Sequence, residues 1–430
     1  MPTHASADKA IYSRRESEAR SYCRSFDTVF TKASNATMWD EAGTEYTDFL
    51  AGCSSLNYGH NDPDMKAALV DHIAGDGIAH GLDMHSTTKS EFLETFERLV
   101  LAPRGMDHKV MMTGPTGTNA VEAALKLARK VTGRREIFAF TNGFHGMTLG
   151  ALACTGNAGK RAGAGGAPLC GVTRMPYEGA LGEDVDSLKM IEALLDNPSS
   201  GVDAPAAFLV ELVQGEGGLD AATAEWVRGI ADIARRHNAL LIVDDIQAGI
   251  GRTGDFFSFD GMGIQPDMVT LAKSLSGFGL PFATLLLRPE IDIWSPAEHN
   301  GTFRGNTHAF VTAKVALEKF WADDTFKREI ADKAALLEER LTRIAGMIPG
   351  ARLKGRGMMR GVDVGSGELA EAICAEAFRH GLIIETSGAF DEVVKVLAPL
   401  TIPRAQFEAG LDTLEAAART CTETAKIAAE

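Results

Sequence analysis

The chain has 430 residues, 45% of them apolar and 23% charged, with 58 acidic against 43 basic side chains and a net charge of −15. This length exceeds one simple core and the composition is that of an ordinary globular protein, while the acidic balance argues against nucleic acid or an anionic membrane surface as a partner. The six cysteines show no C-x-x-C pair or metal-ligand spacing, the N-terminus lacks the apolar core of a signal peptide, and no apolar run approaches a membrane span, so a reduced, cytoplasmic protein without a metal site is expected.

Residues 1–20 are polar and expected to be mobile. Residues 37–50 (TMWDEAGTEYTDFL) read as a hairpin turning around Asp40 to Gly43. Residues 52–60 form a small-residue loop without periodicity, which either lines a site or simply connects. Asp62 followed by Pro63 predicts the cap and first turn of a helix through Ile73. From residue 108 the pattern becomes strand (KVMMT), turn (GPTGTN) and helix. The helix places Val121, Ala124, Leu125, Ala128 and Val131 on one face and stops at Gly133. Further strands are predicted over 137–141, 207–212, 240–244, 268–272 and 284–287, with helices between them, notably over 224–237. Strands alternating with helices imply an α/β fold with a mainly parallel sheet, whose ligands gather at the carboxyl ends of the strands. After about residue 310 a charged helix over 312–347 precedes strands over 357–364, 381–385 and 393–397 and a last amphipathic helix from Pro403. This reads as a smaller α+β domain that the N-terminal hairpin joins. The expected division is a mobile segment 1–20, an N-terminal part of the small domain 21–65, a large domain 66–310, and the rest of the small domain 311–430.

Five apolar or β-branched residues, Met268 to Ala272, run straight into Lys273, and an earlier apolar run, Leu240 to Val243, ends in Asp244. A lysine at the end of a buried strand is costly unless it is used. A strand-end amine and a strand-end acid are the groups pyridoxal phosphate requires, for a Schiff base and for its pyridinium nitrogen. Asp244 and Asp245 are neighbours on a strand and must face opposite ways, one toward the site and one into structure. The turn 114–119 offers free N–H groups at a helix start for a phosphate; an ordinary tight turn accounts for it equally well. Gly249, Gly251 and Gly254 spell G-x-G-x-x-G, but DFFSFDGMG follows instead of a helix, so a dinucleotide fingerprint is rejected in favour of a loop. Glu211, Gln214 and Glu216 end another apolar strand and read as site-lining, with surface exposure as the alternative. His60, His85, His145 and His308 have no metal spacing, and core or supporting roles are their default.

The run DDIQAGIGRTG…FDGMGIQPDMVTLAKSLSGFGLP, together with LNYGHNDP, TGPTGTNAVEAALKLAR, NGFHGMTLGAL, ELVQGEGG and HNGTFRGN, resembles the signature of class-III aminotransferases, over roughly residues 25–420. The resemblance implies a fold-type I pyridoxal-phosphate transferase acting on small molecules, without nucleic acid or membrane partners. It implies a homodimer with shared active sites, possible as a higher oligomer. Carried onto this chain, it makes Lys273 the Schiff-base lysine and Asp244 the pyridinium partner. Gln247 contacts the ring hydroxyl, Phe144 stacks on the ring, Gly117 and Thr118 form the phosphate turn, and Thr302 reaches the phosphate from the neighbouring subunit. His145 and Glu211 stand among the cofactor-contact candidates. The strings HGLDMHS, GFHGMTLGALACTGN and DEVVKVLAPLTI narrow the resemblance to members that transfer the amino group of L-glutamate to L-aspartate 4-semialdehyde, the first step of ectoine biosynthesis. The rival members act on 4-aminobutyrate, ornithine or acetylornithine. Two familiar arginine anchors are replaced, by Met147 and Lys395, and Arg304 stands where glycine is frequent. An arginine fork and a lysine point charge are not interchangeable. Lys395 and Arg304 are therefore the candidate carboxylate anchors, with Glu216 pairing with a cation when the substrate offers no carboxylate.

Overall fold

The computed structural model describes residues 9–182 and 184–429. Of the N-terminal segment expected to be mobile, residues 1–8 lie outside the described residues; Ala10–Arg15 form a short helix. The expected hairpin is present and belongs to a three-strand run, β1 (Phe30–Ser34), β2 (Thr37–Asp40) and β3 (Glu45–Asp48), with Thr37 opposite Thr47. Asp40 closes the turn, its Oδ1 accepting the backbone N–H groups of Ala42 and Thr44 at 3.0 and 2.8 Å. The helix Pro63–Ala74 begins as its cap predicts, with Asp62 accepting from the N–H groups of Asp64 and Met65.

The central sheet holds β4 (Lys109–Met112), β5 (Ile137–Phe140), β6 (Val172–Met175), β7 (Ala207–Val210), β8 (Leu240–Asp244), β9 (Met268–Leu271) and β10 (Thr284–Leu287), in the order β4-β10-β9-β8-β7-β5-β6. Every pairing among β5 to β9 is parallel, whereas β10 runs antiparallel to both β9 and β4. β5, β7, β8, β9 and β10 are buried along their whole length, the mark of strands covered on both faces. β6 was not expected: its polar Thr173 and Arg174 give neither an apolar run nor alternation, because it is an edge strand.

In the C-terminal part β11 (Arg352–Arg356), β12 (Met359–Asp363), β14 (Glu385–Ser387) and β15 (Val393–Val396) form an antiparallel sheet, and β13 (Leu382–Ile383) instead pairs parallel with β3. The expectation of one helix over 312–347 is corrected. There are two, Thr307–Phe320 and Thr325–Ala345. The break falls at Asp323, whose carboxylate accepts the Thr325 N–H at 2.7 Å, a local bond that competes with helix continuation. A final helix spans Arg404–Ala429.

Candidate active site

The carboxyl ends of β5, β7, β8 and β9 deliver His145, Glu211, Asp244 and Lys273 to a single cavity of about 370 Å³. Gly117, Thr118, Phe144, Glu216 and Gln247 line the same cavity. Nine of the twelve candidates from the sequence, spread over more than 150 residues, are thus brought together.

At its floor Asp244 is 4% exposed. One carboxylate oxygen contacts His145 Nδ1 at 2.7 Å, and the other accepts from Thr270 Oγ1 at 2.9 Å and the Ile246 N–H at 3.3 Å. Burial opposes a charge on His145, but the bond to Asp244 and the nearby carboxylates outweigh it and raise the imidazole above its ordinary value. Glu211 sits one strand away, accepting from the Phe144 N–H at 2.8 Å; burial lifts its carboxyl to about 7. Asp245 points the other way, as an adjacent strand residue must. Its Oδ2 accepts the Ser258 N–H at 3.0 Å, and burial raises it to about 7.

Lys273 follows β9 with a backbone φ of +50°, in the left-handed region. No acceptor among the described residues takes a hydrogen bond from its Nζ, and burial lowers its proton affinity against the pull of Glu216. On the opposite wall the helix Gly117–Thr132 presents its first turn to the cavity, and the first N–H groups of a helix have no partner within it. A side chain at 117 would drive a Cβ to 2.8 Å from Ile246, and one at 146 would strike Thr118. Glycine at both positions keeps this turn open and closely packed.

The far wall is held by charge. Lys395, from β15, is fully buried between Glu216 at 3.0 Å and Glu385 at 2.9 Å. Burial raises the Glu216 carboxyl, but Lys395 outweighs it and holds Glu216 down at about 2. Gln247 donates to Glu216 at 3.1 Å. Glu216 also borders two further cavities, of about 450 and 720 Å³. Lys395 therefore lies behind the Glu216 side chain and lines none of the cavity itself. Arg304 and Thr302 are not in this cavity either. Arg304 pairs with Asp83 and donates to the His299 carbonyl, and Thr302 is exposed on the loop before the helix Thr307–Phe320. Gln214 turns away to donate to the Thr141 carbonyl at 2.7 Å. His60 pairs with Asp48, and the glycines 249, 251 and 254 lie in a loop of turns, as rejection of the dinucleotide reading requires.

Sequence reasoning missed Glu385. Its signal was available, since it ends a predicted strand, but nothing local links it to Lys395, which lies on the neighbouring strand opposite it. Ser54, Asn57 and Arg252 were missed as well; they sit behind the cavity.

A sheet whose strand ends collect a lysine, an aspartate–histidine pair and a helix terminus defines the chain's class, and the chain belongs to the class-III aminotransferases, whose family model matches residues 19–418. A protein named diaminobutyrate–2-oxoglutarate transaminase from Halomonas elongata is 55% identical over 409 residues, spanning 94% of this chain and 97% of its own. One of the same name from Halalkalibacterium halodurans is 53% identical over 422 residues, 98% of each chain. Among solved structures, ornithine aminotransferase from Toxoplasma gondii superimposes with a TM-score of 0.83 at 27% identity, covering 96% of this chain and 95% of its own.

The family works with pyridoxal phosphate, and the residues present fit that group. An amine with no acceptor among the described residues, a buried carboxylate backed by histidine, an aromatic ring and an open helix terminus share one cavity.

Proposed function

We propose that this protein is a pyridoxal-phosphate-dependent transaminase that moves the amino group of L-glutamate to the aldehyde carbon of L-aspartate 4-semialdehyde, giving L-2,4-diaminobutyrate and 2-oxoglutarate. The observation that carries the reaction class is the meeting of Lys273, the Asp244–His145 pair and the Gly117 helix terminus in one cavity. The choice of substrates rests on near full-length identities of 55% and 53% to relatives bearing the diaminobutyrate name.

When bound, the cofactor supplies an electron sink for the carbanion left on deprotonating the substrate. The N–H groups at Gly117 and Thr118 would hold its phosphate, Phe144 would cover the ring and exclude water, and Gln247 would meet the ring hydroxyl. The Asp244 carboxylate, kept oriented by His145, would favour a proton on the ring nitrogen. Lys273 Nζ accepts the proton from the substrate carbon and returns it at the end of the shift; an amine whose proton affinity is lowered by burial suits that task. Glu211 is a supporting contact beneath Phe144.

Glutamate places a carboxylate where the aldehyde substrate has none. Displacement of Glu216 from Lys395 admits that carboxylate, and return of Glu216 restores the ion pair for the second half-reaction. Arg304 is the second candidate anchor. Since it and Thr302 lie outside the cavity of their own chain, they act on the neighbouring subunit of a homodimer. The exposed Phe303 supports this, with a cavity that shares Pro115 and Pro281 with the catalytic one. A cytoplasmic location is supported by six free cysteines and by the lack, among the described residues, of any helix long and apolar enough to cross a membrane.

The test is formation of diaminobutyrate from glutamate and aspartate semialdehyde, run beside succinic semialdehyde and pyruvate as acceptors and beside Lys273→Ala. Aspartate semialdehyde is expected to be the preferred acceptor and the variant to be inactive. Equal turnover of succinic semialdehyde would move the chain to the 4-aminobutyrate type, and product from Lys273→Ala would overturn the mechanism.

A further inference from the structure

Lys273 is held in a left-handed backbone conformation that a residue with a Cβ adopts only under constraint. Something outside β9 must impose it. Ser274, the next residue, is 2% exposed, and its hydroxyl is used twice. It donates to the Ser54 carbonyl at 2.8 Å and accepts the Asn57 N–H at 2.9 Å. One turn later the Ser276 carbonyl accepts from Thr312 at 2.6 Å, so the segment after Lys273 is clamped on two sides.

The loop that receives Ser274 is itself unusual. Ala51, Gly52, Cys53 and Ser54 are consecutive residues with φ between +46° and +68°, a left-handed turn that local preference alone does not sustain. Asp48 accepts the N–H groups of Leu50 and Ala51, each at 2.8 Å, and fastens its start. Arg252, fully buried, fastens its end. Its Nε donates to Ser54 Oγ at 3.0 Å and Asn57 Oδ1 at 3.1 Å, and its Nη1 donates to the Ala398 carbonyl at 2.6 Å. No carboxylate forms an ion pair with Arg252 among the described residues, so this guanidinium is buried entirely on neutral acceptors. Burial lowers its proton affinity to about 9. So costly a placement marks a position that must be fixed.

The same turn touches the cavity at a second point, since the Cys53 carbonyl accepts from Gln247 Nε2 at 3.3 Å and Ser54 Oγ contacts the Gln247 carbonyl at 3.3 Å. The left-handed turn is thus bonded both to Gln247 and to the residue after Lys273.

We propose that Ser274 is a positioning residue for Lys273, and that the Ser54–Asn57–Arg252 brace transmits the set of the C-terminal segment to the direction of the Lys273 amine and the Gln247 amide. The inference rests on the cofactor reading above, but not on the identity of the acceptor.

Ser274→Ala removes the shared hydroxyl and leaves the Lys273 side chain intact. In the cofactor-loaded enzyme, the pH midpoint of the lysine-bound cofactor absorption is expected to move by at least about half a unit. With it, kcat is expected to fall about tenfold while KM for glutamate stays within about twofold. Ser274→Thr keeps the hydroxyl and is expected to restore both. Arg252→Lys, which loses the fork, is expected to shift the midpoint in the same direction. A melting curve of the cofactor-free chain separates loss of position from loss of fold. If Ser274→Ala keeps the wild-type midpoint and kcat, or if only its melting temperature falls, the proposal is wrong. It is equally wrong if folded Ser274→Thr behaves like Ser274→Ala. If Ser274→Ala does not fold, Arg252→Lys decides by the same midpoint. A wild-type protein without any lysine-bound absorption would instead sink the cofactor reading.

Discussion

The two walls of the cavity are built in different ways. On the cofactor side the reactive groups sit at the ends of parallel strands: Asp244 closes β8, which is laddered on both sides, and Lys273 follows β9, with the next residue, Ser274, bonded to Ser54 and Asn57. On the substrate side Lys395 and Glu385 face each other across β15 and β14, Glu216 comes from a separate loop, and the three side chains are joined by their opposite charges. A strand end places a group rigidly, though burying its charge still costs desolvation. A buried ion pair costs desolvation and can be opened by a competing anion. The rigid wall suits chemistry that is the same in both half-reactions. The exchangeable wall suits a step in which the substrate changes.

Lys273→Ala attacks the rigid wall, and activity is expected to fall at least about 10⁴-fold, measured as diaminobutyrate formed per site. A loss below tenfold would remove Lys273 from the chemistry. Asp244→Asn keeps shape but loses the anion. A fall of about 10²–10³-fold in kcat is expected, with a fully folded protein. Retention of wild-type kcat would mean that the His145–Asp244 pair is only structural.

Lys395→Ala tests the exchangeable wall. It leaves Glu216 and Glu385 facing each other without a cation, and stability is expected to fall by about 3 kcal/mol in denaturant titration, with KM for glutamate raised. The variant Arg304→Ala separates the two anchors: unchanged glutamate KM in both would rule out both. Glu385→Gln is gentler, expected to lower KM for glutamate severalfold because Lys395 then has one fewer competing carboxylate. An unchanged KM would make Glu385 a bystander.

The smallest effect concerns Asp245, which shares a strand with Asp244 but not its task. Its folded value of about 7 lies above the ordinary carboxylate value, so the folded state holds the proton more tightly than the unfolded one. Its contribution is therefore best at low pH and lost as pH rises through about 7. Asp245→Asn is expected to stabilise by about 1–2 kcal/mol more at pH 8 than at pH 5, by thermal melts at both. Equal effects at the two pH values would exclude a titrating Asp245.

How much of this was legible in the chain follows the same contrast. The strands leading to Asp244 and Lys273 announce themselves as apolar runs that stop at a charge, because burial on both faces admits nothing else. The opposed directions of Asp244 and Asp245 follow from the two-residue repeat. The edge strand β6 and the break at Asp323 were hidden, since neither leaves an apolar pattern. The left-handed turn over residues 51–54 was hidden too, because only Gly52 among its members favours that conformation.

The sequence by itself determined the α/β pattern, the strand-end lysine and aspartate and the helix terminus at Gly117, all of which depend on local periodicity and capping. Only the tertiary structure decided that Lys395 is enclosed by Glu216 and Glu385, and that Arg252 braces the turn touching Ser274 and Gln247. Those contacts join residues up to about 220 positions apart, and their energy comes from charges and hydrogen bonds that exist only once the chain has excluded water around them.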